Sequence, residues 1–142
     1  MKYNEIIVKD EEENEIVYKF RLTSGDCISL EDKVKKSTIE YVQDESITMA
    51  VTMIRYMRMW EKPNISMQEA QQIYDTLINN GWTFKRILQD IIYETLVVSG
   101  FLEEADWLEI KKQTEELTKR LKEERKNALD KVLSSSTTEV SN

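Results

Sequence analysis

Apolar and polar residues alternate along the N-terminal part of the chain, with the period of two that is typical of β-strands. Residues 3–8 and 15–22 are the two predicted strands, and the alternation is in the second, where Ile16 and Tyr18 fall on one side. Between the two segments, the run DEEEN at residues 10–14 is polar and typical of a turn. The pattern predicts a β-hairpin, which has to pack against helices because two strands alone are only marginally stable in water.

After the hairpin, apolar residues recur at helical spacing, and residues suited to cap helices precede them. Thr23, with Asp26 three positions on, resembles a capping box and begins the first helix, which fades near residue 36. Asp44 is the predicted cap of the next helix, which runs to about Trp60 and is apolar on almost every side. A helix of that kind is either central in the core or covered by a partner.

Residues 66–102 are the best-defined part of the pattern, because the beginnings and ends of two helices can be read directly. Ser66 and Thr83 are the predicted N-caps, and each precedes a stripe of apolar residues at helical spacing. Gly81 and Gly100 follow the two stripes, and glycine readily takes the left-handed conformation that ends a helix. The segment therefore predicts two packed helices joined by a short turn.

Acidic residues at positions 103–106 suit the start of a last helix, since the N-terminal end of a helix favours negative charge. Helical spacing continues to about Leu133, which makes a helix of roughly 45 Å at 1.5 Å per residue. Leu117 and Leu121 are apolar positions on this helix, but Glu124 interrupts the heptad pattern. We therefore expect a helix that projects from the body rather than a long coiled coil.

The predicted fold is α+β and mostly α, with an N-terminal β-hairpin packed on a bundle of four to five helices and a long projecting C-terminal helix. We expect a globular helical domain over residues 1–110, the projecting helix over 111–133, and a disordered polar tail over 134–142. A chain of 142 residues buries about 68–70% of its unfolded surface on folding, so it needs no disulfide or metal for stability.

Charge and composition indicate which kinds of partner and which cell compartment are expected. The net charge of −7 disfavours binding to nucleic acid, whose phosphates attract basic proteins. The chain begins without the apolar core of a signal peptide, and no apolar run approaches the ~20 residues that span a bilayer. A single cysteine allows no internal disulfide. We therefore expect a cytoplasmic protein that binds neither nucleic acid nor membranes.

Side chains that carry out catalysis or bind metals are scarce in this sequence. Histidine is absent, which removes both a histidine base and the Glu-x-x-His metal pattern. Cys27 lies at the start of a helix, but Asp26 beside it opposes a thiolate, so we interpret Cys27 as a small core residue. The acidic runs at residues 11–13 and 103–106 are interpreted as solvated turn and helix-start charge. We expect no enzymatic activity, no cofactor and no metal site.

Methionines concentrate on the helix that ends near Trp60. They form a stripe at helical spacing, and methionine side chains adapt well to varied apolar partners. Core packing and a partner-binding or self-association surface are both compatible with such a stripe. The predicted partner-binding residues are Met49, Met53, Met57 and Trp60, together with Leu117 and Leu121 on the last helix.

Three short motifs lie in order along the chain: KFRLTSGDCISLE at residues 19–31, IYD at 73–75 and VSGF at 98–101. In order and spacing, over residues 15–102, they resemble the tail assembly chaperones of long-tailed phages that infect Gram-positive bacteria. Those proteins pair a short strand ending in Arg-Leu-Thr with a helix carrying Leu-Glu. The chain departs from the family after Leu-Glu, where DKVKK at residues 32–36 stands in place of a common Lys-x-Leu-Gly.

The resemblance implies a non-enzymatic function in building a phage or prophage tail. Such chaperones bind the tape measure protein, keep it soluble, help to recruit tail tube subunits around it, and leave before the tail is complete. The expected partners are therefore the tape measure protein and the tail tube protein. The expected location is the cytoplasm of the bacterial host, and the chain should be absent from the mature virion. A structural or adaptor subunit of a permanent assembly is the alternative, and a homo-oligomer is compatible with both.

Overall fold

The structure is a computed structural model that describes residues 1–134 in full and only the backbone of residues 135–140. The disordered tail predicted for residues 134–142 lies, apart from Ser134, outside the fully described residues. The predicted α+β fold, with its N-terminal hairpin and long C-terminal helix, is confirmed. The elements are β1 (Asn4–Lys9), β2 (Glu15–Phe20), α1 (Ser24–Val34), α2 (Thr38–Val42), α3 (Ile47–Arg58), α4 (Met67–Asn79), α5 (84–98) and α6 (Glu104–Val140).

The hairpin pairs β1 and β2 antiparallel, with Asn4 opposite Phe20 and Lys9 opposite Glu15. Its turn is held by Asp10, whose carboxylate accepts hydrogen bonds of 2.9 Å from the backbone N–H groups of Glu12 and Asn14. An aspartate side chain that bonds the backbone two residues on is a common way to fix a turn. The acidic run between the strands is thus a turn, as predicted.

Three of the predicted helix caps are confirmed. The hydroxyl groups of Thr23, Ser66 and Thr83 each accept a hydrogen bond from the backbone N–H three residues on, at 3.1–3.2 Å. These bonds satisfy backbone donors that the first turn of a helix leaves without a partner. The N-termini of α1, α4 and α5 therefore lie where the sequence places them.

The predicted cap of α3 is wrong. Ser46, not Asp44, accepts the hydrogen bond from the N–H of Met49, at 3.0 Å. Asp44 instead forms an ion pair with Lys36, at 3.0 Å, across a stretch of chain that contains the short helix α2. Serine and aspartate are both good N-caps. The sequence near the helix start therefore does not distinguish Ser46 from Asp44, and the ion pair of Asp44 involves Lys36, eight positions earlier.

The ends of α4 and α5 are the left-handed stops that the two glycines predict. Gly81 has φ 84° and Gly100 has φ 87°. After α4, the N–H of Trp82 bonds the carbonyl of Leu77, and after α5 the N–H of Phe101 bonds that of Leu96, at 3.0 and 2.9 Å. This six-to-one bond across a left-handed residue is the Schellman motif, which satisfies carbonyls at the end of a helix.

Two local features of the helices have no counterpart in the sequence prediction. α1 ends at Lys35, which takes the left-handed conformation with φ 60° and ψ 32°, although it is not a glycine. α5 is continuous over residues 84–98, but its middle part, Ile87–Tyr93, is π-helical. The N–H of Glu94 accordingly reaches the carbonyl of Gln89, five residues back.

α3 is the central element of the core, in agreement with its apolar character on almost every side. It contacts β2, α1, α2, α4 and α5. The inner face of the hairpin, which includes Val8 and Phe20, packs into the same core. Two compact units are distinguished along the chain, Met1–Glu104 and Ala105–Asn142. The first unit holds the hairpin and α1 to α5, and the second consists of α6.

Candidate functional site

The three methionines predicted as partner contacts lie in the core. Met49, Met53 and Met57 have 0% of their surface exposed. The reason is the central position of α3, which leaves these side chains no route to a partner on the surface of the folded unit. The prediction that these three methionines form a partner-binding surface is therefore wrong. Core packing, the other interpretation of the methionine stripe, is confirmed.

Trp60 follows the C-terminal end of α3 and lies half-buried at the surface. Its indole N–H donates a hydrogen bond of 3.1 Å to the carbonyl of Lys19 in β2. Its ring stacks on the ring of Tyr3, with centroids 5.8 Å apart and planes at 22°. The ammonium group of Lys19 lies 5.0 Å from the centroid of the Tyr3 ring, which is within range of a cation–π interaction.

The outer face of the hairpin extends this aromatic pair with two aliphatic side chains. Ile7 and Val17 are directly opposite each other in the two strands and are 57% and 40% exposed. Because side chains alternate along a strand, they point away from the inner face that packs on the helices. We define the outer face of the hairpin as Tyr3, Ile7, Val17 and Trp60. It is an apolar surface on the N-terminal unit, and Trp60 alone among its members was predicted from the sequence.

Oppositely charged residues face each other on both sides of the Ile7–Val17 pair. The register places Glu5 opposite Lys19 on one side of the Ile7–Val17 pair, and Lys9 opposite Glu15 on the other. Opposite charges at facing positions stabilise a pair of strands, while like charges destabilise it. Glu5 and Lys19 therefore lie between the Ile7–Val17 pair and Tyr3, and the outer face consists of two apolar parts with charged residues between them.

Side-chain to backbone hydrogen bonds fasten the hairpin to the helices. The amide of Asn80, at the end of α4, both donates to the carbonyl of Lys9 and accepts from its N–H, at 2.8 Å each. On the other strand, the guanidinium of Arg58 donates to the carbonyl of Lys19 at 2.7 Å. The Arg21 N–H donates to the carbonyl of Met57 at 2.9 Å. Both strands thus hold a fixed position over the bundle.

The first and last of the motifs that resemble the chaperone family are in contact. The N–H of Leu22, in the Arg-Leu-Thr run, donates a hydrogen bond of 2.9 Å to the hydroxyl of Ser99, although the two residues are 77 positions apart. Glu31, in the Leu-Glu pair, accepts a bond of 2.6 Å from the N–H of Thr38 and so joins α1 to α2. These motif residues connect elements of the fold.

Cys27 is buried, as predicted for a small core residue. Its thiol lies 3.0 Å from the hydroxyl of Thr38. Burial raises the pKa of the Cys27 thiol, and the nearby carboxylate of Glu31 raises it further, while the hydrogen bond to Thr38 acts in the opposite direction. A reactive thiol needs a lowered pKa, so this environment keeps the cysteine protonated at neutral pH.

An open groove runs beside β1, between the strand and α5. Among the residues that line it, Arg86 lies 3.6 Å from the carboxylate of Asp90 and 3.8 Å from the centroid of the Trp82 ring. In the part of the chain that the structure describes, no three His, Cys, Asp or Glu side chains come together in a way that would hold a metal ion. The described helices include none that is both long and apolar enough to cross a membrane.

The two remaining predicted contacts, Leu117 and Leu121, are exposed on α6. They are 47% and 51% accessible, respectively, and lie in the second unit of the chain. The structure therefore separates the six predicted residues into three places: the core, the outer face of the hairpin, and α6. The sequence signal for the outer face was available, because Ile7 and Val17 are apolar residues on the strand side that is otherwise charged.

Comparisons with protein-family models, with curated proteins and with solved structures give no match for this chain.

Proposed function

We propose that this chain is a tail assembly chaperone of a long-tailed phage or prophage of Gram-positive bacteria. In this function it binds the tape measure protein, keeps it soluble and helps to recruit tail tube subunits during tail assembly. The observation that carries the proposal is the set of motifs over residues 15–102, together with the 2.9 Å hydrogen bond that joins Leu22 of the first motif to Ser99 of the last. Motifs that connect distant elements are what a shared fold requires.

The conformation of Lys35 also supports the proposal. The family often has a glycine at this position after Leu-Glu, and the chain has lysine there. Lys35 nevertheless takes the left-handed conformation with φ 60°, which glycine adopts without steric cost. The departure in sequence is therefore compatible with the same end to the first helix.

The outer face of the hairpin is the surface that we assign to the tape measure protein. It presents Tyr3 and Trp60 as aromatic anchors and, on the far side of the Glu5–Lys19 pair, the exposed Ile7–Val17 pair. Tryptophan and tyrosine are enriched among the residues that dominate binding energy, and exposed apolar patches mark interaction sites. A long, aggregation-prone partner offers apolar segments that such a face can cover.

Co-expression with the tape measure protein of the same genome tests the proposal. We expect the tape measure protein to become soluble and to co-purify with this chain. A double substitution Ile7→Glu and Val17→Glu should abolish co-purification, because it places two charges in one of the two apolar parts of the outer face. Ile28→Glu is a control for a charge placed on an exposed aliphatic residue elsewhere, since Ile28 on α1 is 67% exposed.

Three outcomes separate the parts of the proposal. If the tape measure protein stays insoluble with the wild-type chain, the chaperone function is wrong. If the double variant binds as well as the Ile28→Glu control, the outer face is not the binding surface. If mass spectrometry detects the chain in finished particles, it is a structural or adaptor subunit and not a transient chaperone confined to the host cytoplasm.

A further inference from the structure

The exposed surface of α6 carries a narrow apolar stripe. At 3.6 residues per turn, successive residues are 100° apart, and six positions fall within an arc of roughly 60°. Leu117, Leu121 and Val132 are exposed in the structure, and two further positions, Ile110 and Thr114, are half-buried. The stripe consists of Ile110, Thr114, Leu117, Leu121, Ala128 and Val132.

The spacing of the stripe fits a straight helix. Its five members other than Thr114 follow one another at intervals of seven, four, seven and four residues, from Ile110 through Leu117, Leu121 and Ala128 to Val132. This is an 11-residue repeat, which stays on one side of an α-helix without the left-handed supercoil that a heptad repeat imposes. The break that Glu124 makes in the heptad pattern therefore does not break this stripe.

The threonine in the stripe also presents an apolar surface. The hydroxyl of Thr114 donates to the carbonyl of Ile110 at 2.9 Å, within the same helix. Its polar group is thereby satisfied, and its methyl group is what remains for a neighbour. Leu108, Leu129 and Leu133 are also exposed but lie outside the stripe. A narrow apolar stripe along a mostly polar helix is the pattern of a seam between two helices.

Charge is distributed unevenly between the two halves of α6. Residues 104–116 contain five acidic and two basic side chains, a net charge of −3. Residues 117–133 contain three acidic and six basic side chains, a net charge of +3. Within the described part of α6, none of these charged groups forms an ion pair with another residue of the chain. The charges are thus available to a second molecule.

We propose that α6 pairs antiparallel with α6 of a second copy of this chain. Antiparallel pairing places the acidic half of each helix against the basic half of the other, and the two stripes against each other. Parallel pairing would place −3 against −3 and +3 against +3.

Sedimentation of the full chain at several concentrations and two salt concentrations tests the stripe. We expect a dimer that weakens as salt rises, because the pairing of charged halves is screened. The double substitution Leu117→Glu and Leu121→Glu should raise the dissociation constant by more than about tenfold, since it places charges in the apolar seam. Leu108→Glu is the control: Leu108 is 57% exposed, lies on the opposite side of the same helix, and should change the constant by less than about twofold.

A charge reversal tests the orientation and does not alter the stripe. Glu115→Lys with Glu116→Lys changes the acidic half from −3 to +1. This should weaken an antiparallel dimer, because +1 then faces +3, but it should strengthen a parallel one, because −3 no longer faces −3. Glu11→Lys with Glu12→Lys is the control, since it makes the same change in net charge within the exposed turn of the hairpin.

Each result decides for or against the proposal. A wild-type chain that stays monomeric at about 100 µM, or that forms only larger assemblies, overturns it. So does a Leu108→Glu variant that dissociates as readily as the stripe variant. Strengthening by the Glu115 and Glu116 reversal would show that the helices pair in parallel, and the antiparallel assignment would then be wrong. None of these measurements requires the tape measure protein, so a failure here is distinct from a failure of the proposed function.

Discussion

The amide of Asn80 is the residue at which a small change should release the hairpin from the bundle. It joins the end of α4 to β1 through two hydrogen bonds, to the carbonyl of Lys9 and from the N–H of Lys9, at 2.8 Å each, and it donates a third, of 2.7 Å, to the carbonyl of Thr76 within α4. Asn80→Ala removes all three bonds. A two-stranded hairpin depends on such attachments, because it is marginally stable alone.

The size of the effect follows from the exposure of the partners. A hydrogen bond in a folded protein contributes about 0.5–1.5 kcal/mol, and bonds that water can replace belong at the lower end. The two bonds to Lys9 are exposed, while the bond to Thr76 is partly buried. We therefore expect Asn80→Ala to lower the free energy of unfolding by about 1.5–2.5 kcal/mol. Asn79→Ala is the control, since Asn79 is the exposed last residue of α4, and surface changes of this kind stay within about 0.5 kcal/mol.

Urea unfolding of the two variants gives the free energies, and hydrogen exchange locates the effect. The amide of Lys9 bonds only the side chain of Asn80, so its exchange should accelerate in Asn80→Ala. The amide of Val8 faces Ile16 in the other strand and should keep most of its protection. If Asn80→Ala is as stable as Asn79→Ala and the Lys9 amide exchanges at the wild-type rate, then the attachment does not hold the hairpin.

Three further predictions concern stability. Lys35→Gly should raise the free energy of unfolding by about 0.5–1 kcal/mol in urea unfolding, because glycine removes the cost of a left-handed side chain and loses only an exposed ion pair. Met53→Ala should lower it by about 2–5 kcal/mol, since Met53 is fully buried, and a loss below 1 kcal/mol would contradict its place in the core. Burial raises the pKa of Cys27, Tyr18 and Tyr93. The stability that these neutral side chains contribute is therefore present below their ordinary pKa values and is lost as pH rises through their pKa values in the folded state. Thermal unfolding at several pH values should show stability falling above about pH 9.

The sequence predicts helix boundaries well where the deciding interaction is local. Ser66 and Thr83 cap their helices through bonds to the third residue on, and Gly81 ends α4 through a bond that spans six residues. Such bonds depend on a few neighbouring residues, so the printed sequence contains what is needed to place them. The prediction that Asp44 caps α3 was wrong. Asp44 pairs with Lys36 instead, and that contact depends on how α2 folds between the two residues.

The candidate site was harder to predict because exposure is not a local property. Met53 lies within α3 and Trp60 follows its C-terminal end, and both are large apolar residues suited to binding a partner. The packing of the hairpin, α1, α2, α4 and α5 around α3 buries the first completely and leaves the second at the surface beside Tyr3. No spacing rule along α3 distinguishes these two outcomes.

By itself, the sequence determined the kind and order of every element except the short helix α2, and most of their ends, because periodicity, caps and glycine stops act within a few residues. Only the tertiary structure decided which apolar faces are covered. In the folded chain Lys9 contacts Asn80, 71 positions away, and Leu22 contacts Ser99, 77 positions away. The methionine side chains of α3 are buried in the core. The physical reason is that burial and long-range hydrogen bonds depend on which elements meet, and that is a property of the whole packed chain.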